Sequence, residues 1–264
     1  MFGAPWILRT IPSVSDPVAQ RAIAFGLILS PLILCAVVVQ AIEARAGRPE
    51  RIGALAGISL GLTVGLVAFA LACASAALLG GLEVDRPGVL PAGLVGWAAA
   101  VLLALFQVFG EELFFRGWLQ PLLAARCGPW IGLAVGAAIF AATHALVSPP
   151  GPLALFNIFL AGALFGVLAL RTGSLWAPIA AHWAWNAAET SGVGLTPNPG
   201  ADALGSLWDL DLGGPAWLGG GVDELNGSMT VTLVMLAAIA LCAWLGGPSR
   251  GSTAGARQYG RAQR

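Results

Sequence analysis

Two adjacent carboxylates, Glu111 and Glu112, and a guanidinium, Arg116, lie inside an apolar stretch of the chain. The only two histidines, His144 and His182, lie in two further apolar stretches, with Asn186 four residues beyond His182. These residue types can hydrolyse an amide. A glutamate takes a proton from water, one histidine orients that water, and a second histidine with an asparagine donates hydrogen bonds to the oxyanion of a tetrahedral intermediate. The same Glu111, His144 and His182 could instead hold a zinc ion that activates the water. Residue types alone leave both chemistries open.

The two glutamates have separate duties. Neighbouring residues on a helix point about 100° apart, whereas residues four apart share a face, so Glu112 and Arg116 pair and Glu111 remains the spare carboxylate. A packing role alone would account for the Glu112–Arg116 pair, and either histidine singly reads more readily as a packing residue. Together with a spare carboxylate they read as a site, because ionisable groups at membrane depth are costly and face an interior or a wet cavity. A helical hairpin turning at Cys127-Gly128-Pro129 returns His144 to the level of Glu111. His182 lies nearer its own turn at Arg171, so its depth matches Glu111 less closely.

The elements that must position these groups are membrane helices. Of 264 residues, 58% are hydrophobic and 10% charged, the composition of a polytopic membrane protein. About 20 apolar residues cross a bilayer, and candidate spans are 22–42, 53–81, 92–116, 129–147, 152–170, 175–190 and 229–246. The expected fold is all-α, a polytopic membrane helix bundle of about seven transmembrane helices, or eight membrane elements if "MFGAPWILRTIP" at the N-terminus is an interfacial segment. The stretch 22–42 exceeds a signal-peptide core and is read as a retained anchor. Arginine supplies all thirteen basic residues. With the C-terminus inside, Arg45, Arg48, Arg51, Arg116, Arg126, Arg171, Arg250, Arg257, Arg261 and Arg264 fall inside, against Arg9, Arg21 and Arg86 outside, as the positive-inside rule requires. Loop 191–228, acidic and free of arginine, then lies outside. A formal net charge of zero gives no basic surface for nucleic acid.

Small residues mark the packing faces. Gly132, Gly136, Phe140 and His144 are spaced by four and form one helix stripe, and Gly162 and Gly166 repeat the spacing on the next span. The cysteines Cys35, Cys73, Cys127 and Cys242 lie in or near apolar stretches without metal spacing and read as small buried side chains. "GISLG" around Ser59 matches G-x-S-x-G, but an apolar helix lacks the strand-turn-helix context of a nucleophile elbow. No H-E-x-x-H occurs, and none of the aspartates lies in a span core. Trp183 and Trp185 read as packing or interfacial side chains.

"EELFFR" (Glu111, Glu112, Arg116), "FAATH" (Phe140, His144) and "HWAWN" (His182, Asn186) together resemble the EExxxR, FxxxH and HxxxN motifs of the CAAX protease and bacteriocin-processing family, also called ABI or CPBP. All three occur in the family's order, within residues 90 to 190. The resemblance implies an intramembrane endopeptidase in which Glu111 is the water-activating base assisted by His144. His182 and Asn186 would form the oxyanion site, with Glu112, Arg116 and Phe140 in support. It implies a peptide or membrane-protein substrate, either prenylated and CAAX-type or bacteriocin-like.

Three regions are expected: 1–90, membrane helices without a motif; 91–246, the catalytic membrane domain; and 247–264, a disordered basic tail. The expected location is the bacterial inner membrane, with the lipid bilayer and the substrate as partners and no nucleic acid. The expectation is no cofactor, with zinc as the alternative. A proton-coupled transporter, or an immunity or scaffold protein without turnover, are the rival functions.

Overall fold

In lipid an unpaired backbone N–H or C=O has no water to turn to, so apolar stretches fold as helices that satisfy their own backbone. The computed structural model describes residues 52–87, 93–147, 150–195, 205–219, 221 and 223–245. Helix α1 is Ala54–Leu78 and α2 is Gly93–Glu112, which continues through a π segment, Leu113–Leu119, into α3, Gln120–Cys127. After Gly128, held at φ 89°, the chain reverses into α4, Pro129–Val147. Helix α5 is Pro152–Thr172 and closes on Gly173 in the left-handed conformation. Helix α6, Trp176–Asn186, runs into a second π segment, Ala187–Gly192, and α7 is Met229–Leu245.

The chain is an integral membrane protein of mostly helical structure. Four helical stretches are long and apolar enough to cross a bilayer: Ala54–Leu78, Gly93–Cys127, Pro129–Leu146 and Pro152–Thr172. The third expected span, 92–116, is therefore longer than its sequence limits suggested. It continues to Cys127 because the π segment carries the helix past the charged motif instead of ending it. Helix α7, Met229–Leu245, is apolar but shorter, and α6 with its π segment covers the sixth expected span. The expected span 22–42, Cys35, the N-terminal segment and the tail 247–264 lie outside the described residues.

Two corrections concern loops. Strand β1, Leu82–Pro87, pairs antiparallel with β2, Trp208–Leu212, so the fold carries a small two-stranded sheet that an all-α expectation omitted. "WDLDL" alternates apolar and polar residues, the signature of a strand with two unlike faces. Cys127 is exposed at the α3–α4 turn, where its thiol donates to the Leu123 carbonyl. Half-buried Cys73 and Cys242 do pack against the core. Arg116 is buried mid-helix and is not a loop charge, which removes one residue from the inside count.

Helix α1 lies along α6 through Gly57, Gly61 and Gly65, all buried. A Cβ on Gly61 would overlap the Ala177 carbonyl oxygen, and one on Gly65 would overlap that of Ala181. Backbones approach this closely only where side chains are absent. This spacing explains "GISLG": its glycines face α6, while Ser59 is exposed on the opposite face of a regular helix. Gly65→Val is expected to destabilise the bundle by about 1–3 kcal/mol through overpacking. A thermal scan in detergent checks it, and an unchanged midpoint would contradict the packing. Above this contact, Ala68, Phe69, Ala72 and Ala76 of α1 join Leu160, Leu164, Phe165 and Leu168 of α5 and Val231 and Met235 of α7 in one core.

The segment between α6 and α7 is tied down by polar contacts. Buried Asn157 on α5 donates to the carbonyls of Asn226 and Ser228, each at 2.8 Å, and accepts from the Thr232 hydroxyl at 2.6 Å. Three satisfied bonds make a buried amide tolerable and fix α5 against α7.

Candidate active site

The site forms where α2, α4, α5 and α6 meet. Glu111 and Glu112 end the α-helical part of α2, immediately before the π segment that contains Arg116. Asn186 likewise ends the α-helical part of α6, immediately before the other π segment. Two of the three motifs thus adjoin a local widening of their helix, a feature that recurs at functional sites.

Glu112 is fully buried and accepts twice on one oxygen. Arg116 Nη1 donates to Glu112 Oε1 at 2.7 Å, as the spacing of four predicts. His182 Nδ1 donates to the same oxygen at 2.8 Å. A carboxylate only accepts, so the proton of His182 sits on Nδ1 and the tautomer is set by Glu112. Arg116 uses its other arm to reach the Gly162 carbonyl at 2.9 Å. Its guanidinium lies 4.6 Å from the Phe140 ring centroid and 5.5 Å from that of Phe165. Carboxylate, carbonyl and π faces together replace the water that a buried arginine has lost.

The His182 ring is held on both sides. Phe165 stacks on it, with centroids 4.6 Å apart and planes 17° from parallel, and Phe140 approaches edge-on at 6.0 Å. With Nδ1 engaged, Nε2 faces Glu111: His182 Nε2 and Glu111 Oε2 are 4.0 Å apart. That separation is too long for a direct hydrogen bond and suits a bridging water. Glu111 Oε1 accepts from Gln107 Nε2 at 3.0 Å, while buried Oε2 has no hydrogen-bond partner among the described residues.

His144 stands on the Phe140 stripe of α4. Its Nδ1 lies 2.9 Å from the Phe140 carbonyl oxygen, an acceptor, so Nδ1 carries the proton and Nε2 presents a lone pair. The Phe140 ring packs against His144 at 4.5 Å and against His182 at 6.0 Å, and thus lies beside both histidines. Asn186 is half-buried one turn beyond His182.

Sequence counting matched Glu111 with His144 in depth better than with His182, yet His182 comes within 4.0 Å of Glu111. Such counting assumes helices that start level and run parallel. Here the level of α6 is set by side contacts: Trp183 Nε1 donates to the Val101 carbonyl of α2 at 3.0 Å, and Trp97 Nε1 of α2 donates to the Ser191 carbonyl at 2.9 Å. Trp183 is thus a packing residue, as is Trp185, whose ring meets Phe69 edge-on at 5.4 Å.

Glycines bring α5 close. A Cβ on Gly162 would stand 3.1 Å from the Phe140 ring, and one on Gly166 would stand 2.9 Å from Gln120 Oε1. Gln120 Nε2 donates to the Gly166 carbonyl at 3.1 Å, repeating one turn on what Arg116 does at Gly162.

Residues 92–188 match the family model described as type II CAAX prenyl endopeptidase Rce1-like. The resemblance to the CAAX protease and bacteriocin-processing family is shown over this segment. Glu111, Glu112, Arg116, Phe140, His144, His182 and Asn186 all fall inside the match. No curated protein and no solved structure matches the chain.

Sequence reasoning did not find Gln107, Phe165, or the bond from His182 to Glu112. Gln107 carried a signal, since it precedes Glu111 by one helical turn and is the only amide side chain on α2. Phe165 carried none, because a phenylalanine among apolar residues is indistinguishable from core. Among the described residues no group of three or more His, Cys, Asp or Glu side chains is placed to hold a metal ion. The proposed zinc donors Glu111, His144 and His182 do not form such a group.

Proposed function

We propose that this chain is an intramembrane endopeptidase that cleaves a membrane-associated peptide or protein, with Glu111 as the general base. The observation that carries the reading is Glu111 Oε2, a buried carboxylate oxygen without a hydrogen-bond partner among the described residues, 4.0 Å from a histidine nitrogen whose ring is already fixed. Glu111 Oε2 takes a proton from water, and the resulting hydroxide adds to the scissile carbonyl carbon. His144 Nε2 accepts the water's other hydrogen and orients it. For His182 to donate from Nε2 to the oxyanion while Nδ1–H stays on Glu112, its ring takes up a second proton from solvent before the water is deprotonated and gives it back when the intermediate collapses; the Asn186 amide is the second donor. The tetrahedral intermediate collapses with cleavage of the C–N bond, and Glu111 returns its proton to the leaving amine. The products are a carboxylic acid and an amine, which become carboxylate and ammonium by proton transfer.

No step above passes through an ion. The family description supports a prenylated CAAX-type substrate, and a bacteriocin-like peptide fits the same chemistry. The arginine distribution supports a cytoplasmic C-terminus, and the lysine-free, Ala/Gly/Arg-rich composition supports the bacterial inner membrane as its location.

Cleavage of a fluorogenic peptide library, with and without a C-terminal prenyl cysteine, by the protein in nanodiscs tests the reading. The expected result is turnover that a strong chelator leaves unchanged. Turnover lost on chelation and restored by zinc would replace the glutamate mechanism, and no cleavage of any member would favour a carrier or scaffold.

A further inference from the structure

The free oxygen of Glu111 raises the question of what selects it. A carboxylate has two equivalent oxygens, and an exposed glutamate rotates between them freely. Glu111 is only 13% exposed, and one oxygen is already engaged: Gln107 Nε2 donates to Oε1 at 3.0 Å. Side chains on a helix lean toward its N-terminus, so Glu111 leans over the turn that carries Gln107. The two stand at i and i+4 on one face of α2.

We propose that Gln107 is a positioning residue for catalysis: by holding Oε1 it commits Oε2, the oxygen facing His182 Nε2, as the basic atom. The inference rests on Glu111 being the base. Glu112 and Gln107 then act alike on the two reacting partners. Glu112 fixes His182 through Nδ1 and leaves Nε2 toward Glu111, and Gln107 fixes Glu111 through Oε1 and leaves Oε2 toward His182. The oxygen and the nitrogen that face each other across 4.0 Å are the two atoms their supports leave unused.

The amide is suited to this task. An ionised carboxylate only accepts, so its neighbour must donate, and a lysine there would add a charge that could pair with the base and compete with water. A glutamine donates without a charge. It is half-buried on a helix otherwise almost wholly apolar, where an unpaired amide is costly.

Steady-state kinetics on full-length protein in nanodiscs test this with Gln107→Met and Gln107→Glu beside Glu111→Gln. Methionine keeps length and flexibility but cannot donate. Gln107→Met is expected to lower kcat roughly tenfold to hundredfold, the scale of a misplaced catalytic group, with KM and the thermal midpoint unchanged. Gln107→Glu has the same shape as glutamine but donates only when protonated. Its kcat is expected to rise as pH falls through the range where the two adjacent carboxyls share one proton, a rise that wild type lacks. Gln107→Met with full kcat, or Gln107→Glu with the wild-type pH profile, overturns the positioning role while an inactive Glu111→Gln leaves the base assignment standing. Full activity in Glu111→Gln overturns the base assignment itself, and with it the inference.

Discussion

Glu111→Gln is expected to lower kcat by roughly 10²–10⁴-fold, the usual contribution of a general base, while the protein inserts and unfolds like wild type. Glutamine has the same length and keeps a carbonyl oxygen in place of Oε1, so the Gln107 bond survives. What disappears is the basicity of Oε2. An amide nitrogen or oxygen at that position cannot take a proton from water near neutral pH. Peptide cleavage by purified variant and wild type, alongside their thermal midpoints in the same detergent, gives the answer. Loss of midpoint together with activity would place Glu111 in the packing of the bundle and leave the chemistry unassigned.

Arg116→Ala has the opposite signature. Removing the guanidinium leaves Glu112 fully buried with only the His182 Nδ1 bond, strips a donor from the Gly162 carbonyl, and opens space between the faces of Phe140 and Phe165. Breaking one side of a buried ion pair costs about 3–5 kcal/mol, so Arg116→Ala is expected to show a large fall in thermal midpoint and in the yield of folded protein. Arg116→Lys keeps the charge but lacks a two-armed fork, and should recover only part of the loss. The double variant Glu112→Gln/Arg116→Met removes both charges and should recover stability without activity, because neutral glutamine no longer anchors His182 as a carboxylate does. A folded, stable and inactive Arg116→Ala would show that Arg116 acts on the chemistry directly.

These two predictions separate the residues that one motif places side by side. Glu111 and Glu112 are adjacent in the chain and each keeps one oxygen without a hydrogen-bond partner among the described residues, yet that of Glu111 lies 4.0 Å from His182 Nε2, whereas Glu112 spends its other oxygen on two donors, Arg116 and His182. Their difference follows from the 100° between neighbouring helix positions, which turns Glu112 into the interior, onto His182 of α6, and Glu111 toward the half-buried face of Gln107.

Local rules in the sequence determined much of this protein. Apolar run lengths gave membrane helices, the spacing of four gave the Glu112–Arg116 pair, and the glycines at 162 and 166 gave the face on which α5 approaches. Each depends on a helix repeat or on hydrophobic burial, which a short window of residues contains. Sequence also supplied the chemical inventory, because carboxylates, histidines and an amide in apolar stretches have few other uses.

Tertiary structure alone decided which of these groups meet. That His182 rather than His144 lies 4.0 Å from Glu111 depends on the level of α6, which is set by Trp183 on Val101 and Trp97 on Ser191. The binding of His182 to Glu112, the stacking of Phe165 and the pairing of β1 with β2 likewise join residues far apart in the chain. A helical repeat fixes which residues share a face but carries no information on how far one helix slides along another. That offset is set by packing, by glycines that let backbones touch and by side chains that reach across, and it places the reactive oxygen opposite its histidine.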